Sequence, residues 1–144
     1  MFDRTLQIAV AGLVDKTRLR VDFQLEFQAE PIIASLSDEQ NTTSYRVVQE
    51  LINNAMKHSQ ANRVILEVGQ DGEAGIYIRY ADNGKGMATE TDKEAEAGNR
   101  FGLRGIVERI RMIDGELEIR SALGQGVVIH CSIPIQANRS DLTI

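Results

Sequence analysis

The sequence predicts an α+β fold, a two-layer α/β sandwich in which one mixed, mainly antiparallel sheet is covered on one face by helices. Two pairs of strand-like segments are each joined by a turn-prone stretch, Gln70-Asp71-Gly72-Glu73 in one pair and Leu123-Gly124-Gln125-Gly126 in the other. Long segments between them repeat apolar residues at helical spacing, and the one from Asp38 to His58 holds neither glycine nor proline. Consecutive strand pairs outnumber strand–helix–strand units, which argues against a doubly wound parallel sheet.

The first element, Phe2 to Asp15, carries Leu6, Ala9, Val10, Leu13 and Val14 at helical spacing, as the end of a longer helix or a short amphipathic one. Arg18 to Gln28 then alternates through Val21, Phe23, Leu25 and Phe27, the period of a half-buried strand. Asp38 to His58 places Tyr45, Val48, Leu51, Ile52, Ala55 and Met56 three or four residues apart, with Ser37 or Asp38 as its cap. Arg63 to Val68 and Ile76 to Tyr80 are rich in β-branched residues and form the first hairpin. Ala88 to Arg100 lacks the large apolar residues that anchor a segment in a core and reads as a mobile stretch. Helical periodicity resumes from Phe101 to Asp114 through Leu103, Ile106, Val107, Ile110 and either Met112 or Ile113, and Gly115 stops it. Glu116 to Ser121 and Val127 to Ile135 form the closing hairpin.

A length of 144 residues suits one domain and one site. No apolar run approaches the ~18 residues of a membrane span, and the N-terminal stretch lacks the basic region of a signal peptide, so a cytoplasmic location is expected. A net charge of −5 disfavours nucleic acid as a partner. The single cysteine, Cys131, reads as a strand residue rather than a nucleophile, and His130 beside it as an alternating strand position.

Three clusters carry chemistry. On the long helix, Glu50, Asn54, Lys57 and His58 fall at i, i+4, i+7 and i+8, a stripe that offers a base, a neutral oxygen ligand and donors to phosphate. A solvated polar stripe has the same pattern. Asp82-Asn83-Gly84-Lys85-Gly86 follows a strand directly; a carboxylate there can accept from an exocyclic amine, while the glycines let backbone approach a ligand. A surface turn looks alike. Gly98 to Gly105 opens the later helix with glycines that expose N–H groups to an anion, or simply makes a hinge. It lacks the Gly-Lys-Ser/Thr ending of a P-loop, and no strand leads into it as in a dinucleotide-binding fingerprint.

Taken together, Tyr45-Arg46-Val47-Val48-Gln49-Glu50 through His58, then Asp82-x-Gly84-x-Gly86, then Gly102-Leu103-Arg104-Gly105 resemble the N, G1 and G2 boxes of the GHKL ATPases. That superfamily includes DNA gyrase, heat-shock chaperones, mismatch-repair ATPases and histidine kinases. Glu108-Arg109-Ile110, Asp114 to Ile119 and Gly124-Gln125-Gly126 make the chain similar to NarL- and DesK-type sensor histidine kinases, over about Leu19 to Ile135.

The resemblance implies the Bergerat ATP-binding fold. It implies a protein histidine kinase catalytic domain over residues 16–137, with 1–15 a remnant of a dimerisation helix and 138–144 a tail. Glu50 would be the catalytic acid/base and Asn54 the Mg²⁺ ligand; Lys57 and His58 would reach phosphates. Asp82 would recognise the adenine amino group, with Gly84, Gly86 and Met87 around the base, and Gly102, Leu103, Arg104 and Gly105 would meet the phosphates. Ala88 to Phe101 would be the ATP lid. The expected substrates and partners are ATP with Mg²⁺, a histidine-bearing dimerisation domain of the same kinase, and a response regulator downstream. The isolated domain is expected to be monomeric within a dimeric kinase and, lacking the acceptor histidine, not to phosphorylate itself. An anti-sigma-factor-like serine kinase and a non-catalytic nucleotide-sensing domain are the alternatives. Two positions depart from the family pattern: Arg100 stands where a glycine often opens the G2 box, and Val127 where a Thr or Ser hydroxyl usually helps hold the adenine-binding carboxylate. Loss of one such hydrogen bond costs about 0.5–1.5 kcal/mol.

Overall fold

The computed structural model describes residues 5–32, 35–72, 75–86, 103–122 and 124–135, without the side chains of His58 and Ser59. Its elements run α1 (Thr5–Arg18), β1 (Gln24–Ala29), α2 (Asp38–Asn54), a π-helical turn (Ala55–Ser59), β2 (Arg63–Asp71), β3 (Gly75–Asp82), α3 (Leu103–Met112), β4 (Glu116–Ser121) and β5 (Val127–Pro134). The sheet order is β1-β2-β3-β5-β4; β1 lies parallel to β2 across the α2 crossover, and the remaining pairs are antiparallel. This is the α+β sandwich with a mixed, mainly antiparallel sheet.

Strand alternation decides which residues enter the core. Val64, Leu66 and Val68 of β2, Ile76, Ile78 and Tyr80 of β3, and Ile129, Cys131 and Ile133 of β5 are all buried, and each set steps by two. They pack with Val48, Leu51 and Ile52 of α2 and Ile106 and Ile110 of α3 in one cluster, and each such side chain contributes about 1.5–3 kcal/mol when removed from water. Helix α1 adds Leu6, Val10 and Val14 to the same cluster. The opposite face of the sheet carries ion pairs instead, Arg63–Glu26 at 2.9 Å and Arg120–Glu118 at 3.1 Å, and a stacked Tyr77–His130 pair.

Caps fix where α2 begins. Ser37 accepts from the Gln40 amide N–H at 3.0 Å, and the Gln40 side chain accepts from the Ser37 N–H at 3.1 Å, a reciprocal box that satisfies two otherwise unpaired donors. The buried Gln40 amide also donates to the Pro134 carbonyl, tying this end of α2 to the end of β5.

Several boundaries differ from the sequence reading, each for a visible reason. Helix α1 runs to Arg18 and β1 starts only at Gln24, because Thr17 donates back to Leu13 O, while the Arg18 guanidinium turns to the Leu25 carbonyl. β2 and β3 extend to Asp71 and from Gly75 to Asp82, so Asp82 is itself the last strand residue. The last strand stops one residue short of Ile135, at Pro134, which has no N–H to continue a ladder. The final turn of the long helix is π-helical and ends at Gln60 in the left-handed region (φ 53°), so Met56, expected in the apolar stripe, is rotated outward and 36% exposed. At the end of α3 the left-handed residue is Asp114 (φ 59°), not Gly115; Gly115 N–H bonds Ile110 O and Asp114 N–H bonds Arg111 O. Gly115 is required for space instead, since a Cβ there would stand 2.8 Å from both Ile110 Cγ2 and Ser132 O. Ile113 is buried and Met112 exposed, which settles that pair.

Burial pushes the Cys131 thiol up to about 12 and, together with the Asp82 carboxylate, pushes the Tyr80 phenol well above its ordinary value. The folded state therefore holds both protons where the unfolded chain releases them. Stability is complete below about pH 9 and falls as pH rises toward 12, by up to about 1.4 kcal/mol per pH unit per group. Urea unfolding midpoints are expected to fall between about pH 9 and pH 11, with part of that slope removed in Cys131→Ala; a flat profile would contradict this burial.

Candidate functional site

Two groups of expected site residues assemble at the ends of these elements. The first is built on the end of β3. Asp82 is partly buried; its Oδ1 accepts from the Gly84 N–H at 2.9 Å and its Oδ2 from the Tyr80 hydroxyl at 2.5 Å. Tyr80 lies two strand positions before Asp82 and so shares its face, and it is only 3% exposed. Asn83 carries the turn away from the sheet: its Oδ1 accepts from the amides of Asn62 and Arg63, and its Nδ2 donates to Asn62 Oδ1 at 2.6 Å. The Asp-Asn-Gly run is thus divided, with Asn83 bracing β2 and Asp82 facing the helix side.

The turn between β4 and β5 closes on this loop. Gly124 N–H donates to Lys85 O at 2.7 Å, and Ser121 Oγ donates to Gly126 O at 2.8 Å. Gly86 (φ 66°) and Gly126 (φ 79°) have positive φ, and a Cβ on either would meet carbonyl oxygen, Ala122 O at 2.1 Å or Asp82 O at 1.9 Å. The sequence reading gave Gly86 to a nucleotide base. Its missing side chain also leaves room for the neighbouring turn. Val127 pairs directly with Asp82 across β3 and β5, where a hydroxyl-bearing residue would touch the carboxylate.

The second group joins α2 to α3. Glu50 Oε1 accepts from Arg109 Nε at 2.8 Å, and a Cβ on Gly105 would stand 2.8 Å from Glu50 Oε2. Gly105 is therefore the close-packing residue that admits the Glu50 carboxylate against α3. Arg109, one turn later on the same helix, is a site partner that sequence reasoning quoted within a motif yet gave no role; its i+4 spacing from Gly105 was the available signal. The carboxylate is about a quarter exposed and the guanidinium more so, which makes this pair a positioning contact worth at most about 1 kcal/mol.

Asn54 closes α2, one turn after Glu50. Its Nδ2 is buried with no hydrogen-bond partner among the described residues. Lys57 is exposed on the π-helical turn. The wider turn breaks the even stripe predicted from Glu50 through His58, so only Glu50 and Asn54 keep α-helical spacing. The His58 side chain, Met87, the lid from Ala88 to Phe101 with Arg100, and Gly102 lie outside the described residues. Leu103 is buried, and Arg104 is exposed with its Nε on Glu108 at 3.1 Å. Among the described residues no three His, Cys, Asp or Glu side chains cluster as a metal site.

Known proteins resemble this chain in sequence and in fold. The family model described as histidine kinase-, DNA gyrase B-, and HSP90-like ATPase matches residues 39–137. The chain is 34% identical over 126 residues to the sensor histidine kinase ComP of Bacillus subtilis (strain 168), covering 88% of this chain and 16% of that protein. It is 33% identical over 97 residues to the sensor histidine kinase YdfH of the same organism, covering 67% of this chain and 23% of YdfH. The chain thus spans less than a quarter of these relatives' length. The blue-light activated histidine kinase of Erythrobacter litoralis EL346 shares the fold, with a TM-score of 0.71 at 18% identity over 91% of this chain and 42% of that one. No described helix is long and apolar enough to cross a membrane. A carboxylate at the end of β3, a glycine-bearing loop behind it and a second carboxylate on α2 stand within the matched span, and the chain belongs to the histidine kinase-, DNA gyrase B- and HSP90-like ATPase family.

Proposed function

We propose that this domain binds ATP through Asp82 and delivers its γ-phosphoryl group to a histidine on a separate helical dimerisation domain of the same kinase, from which a response regulator receives it. The observation that carries the nucleotide part is the Asp82 carboxylate, fixed on both oxygens and still holding free lone pairs. An ionised carboxylate only accepts, so it favours the amino group of adenine over the carbonyl of guanine at the same place.

In the transfer step a nitrogen of the acceptor imidazole bonds to the γ-phosphorus, the bond from that phosphorus to the bridging oxygen breaks, and ADP leaves. Glu50 accepts the imidazole proton or orients the ring, while Arg109 holds its carboxylate in place. Lys57, His58, Arg104 and the start of α3 are the candidate donors to phosphate oxygens. Asn54 suits a Mg²⁺ ligand: rotating its amide by half a turn would put oxygen where the partnerless nitrogen now stands. With no three-residue metal cluster among the described residues, the ion would be held partly by the nucleotide phosphates, as is usual for Mg²⁺, and would neutralise phosphate charge there. The domain would work on the cytoplasmic side of a kinase.

Glu50→Gln keeps the shape of the side chain and removes the base. It is expected to leave nucleotide affinity within about threefold of wild type and to slow transfer to a histidine-bearing helical domain by about a hundredfold. Radiolabel transfer from ATP measures this. Transfer at the wild-type rate would remove Glu50 from the chemistry. A wild-type domain that binds nucleotide but transfers nothing would favour the nucleotide-sensing alternative.

A further inference from the structure

We propose that Tyr80 is the positioning residue of the nucleotide-recognising carboxylate, taking the place of a hydroxyl at position 127. This rests on the reading of Asp82 as the adenine contact. Val127 stands opposite Asp82 in the β3–β5 register, where directly paired side chains on one face have Cβ atoms about 4.5–5.5 Å apart. A valine there offers Oδ2 no donor. Tyr80 supplies one from within the same strand at 2.5 Å, and the Gly84 N–H supplies the other oxygen's at 2.9 Å.

The arrangement leaves Tyr80 little alternative. Its ring is buried between the β2 and β5 neighbours Leu66 and Ile129, with only 3% of the residue exposed, so it cannot swing out to water. A phenol in that position is protonated throughout the working pH range, because burial and the adjacent carboxylate both oppose its ionisation. It is therefore a permanent donor. Of the roughly four lone-pair directions on the carboxylate, two are taken by Tyr80 and Gly84 and the others remain for the base and a water. Tyr80 thus sets the orientation of the remaining acceptors, which is what separates adenine from guanine.

The test is calorimetric titration of the whole chain with a non-hydrolysable ATP analogue. Tyr80→Phe keeps the ring and deletes the hydroxyl, and it is expected to weaken binding about tenfold. Adding Val127→Thr to that variant is expected to restore affinity to within about threefold of wild type, because the new hydroxyl faces the same carboxylate. Unchanged affinity in Tyr80→Phe would overturn the proposal, as would a loss that Val127→Thr fails to repair, since that is the mark of lost packing. Asp82→Ala separates the two claims: wild-type affinity in that variant would refute the adenine contact itself, whatever Tyr80 does.

Discussion

Asp82→Asn is expected to raise the dissociation constant for ATP about a hundredfold, a loss of about 2.7 kcal/mol. The amide keeps the size of the carboxylate and changes what its atoms offer. One oxygen becomes an NH₂ donor, which either faces the adenine amino group or turns on Tyr80 or the Gly84 N–H, two groups that now donate to the carboxylate. Toward the adenine amino group or the Gly84 N–H this sets donor against donor, and toward Tyr80 it turns the hydroxyl from donor to acceptor; in every case hydrogen bonds to a charged group, worth about 1.5–3 kcal/mol, become neutral or are lost. The fold should tolerate the change, because Asp82 is the last residue of β3 and only partly buried. Calorimetry of a folded variant measures the effect, and a loss below about threefold would contradict it.

Gly126→Ala is the second large effect, and it acts through backbone. Gly126 sits at φ 79°, and an added Cβ would lie 1.9 Å from the Asp82 carbonyl oxygen and 3.0 Å from Asn83 Cα. A positive-φ residue with a side chain costs about 1–3 kcal/mol. Overpacking adds about 1–3 more, so destabilisation of about 2–6 kcal/mol is expected. At roughly 2–4 °C per kcal/mol the melting temperature should fall by about 10 °C. The displaced atom belongs to Asp82, so nucleotide affinity should fall in the variant that remains folded at low temperature. Gly124→Ala is the control, since nothing lies within 4 Å of its added Cβ although its φ of 77° is also positive. Equal losses in the two variants would assign the effect to φ alone.

Much of the scaffold was legible because it follows from short-range patterns. The Ser37 cap, the hairpins and the placing of Asp82 at a strand end each depend on residues a few positions apart, and Cys131 fell on a buried strand as its alternation required. What escaped depends on contacts between distant segments. The docking of the Gly124–Gly126 turn on the loop from Asp82 to Gly86 joins residues about forty positions apart, so the packing need for Gly86 was not legible locally. The Glu50–Arg109 pair spans 59 positions, and its one local trace was the i+4 spacing of Arg109 from Gly105. Tyr80 is the exception, since its period-two relation to Asp82 was visible and was counted only as strand pattern. The π-helical turn could not be read from a stripe that assumed α-helical spacing throughout, and it is why Met56 is exposed and why Lys57 leaves the stripe.

The most direct measurement is calorimetric titration of the purified chain with a non-hydrolysable ATP analogue and with the matching GTP analogue, each with and without Mg²⁺. The expected result is binding selective for the adenine nucleotide and strengthened by the ion, since the adenine contact proposed for Asp82 and the Mg²⁺ ligand proposed for Asn54 call for both. Equal binding of both nucleotides, or none at about millimolar concentration, would contradict the assignment of Asp82 as the residue that reads the base.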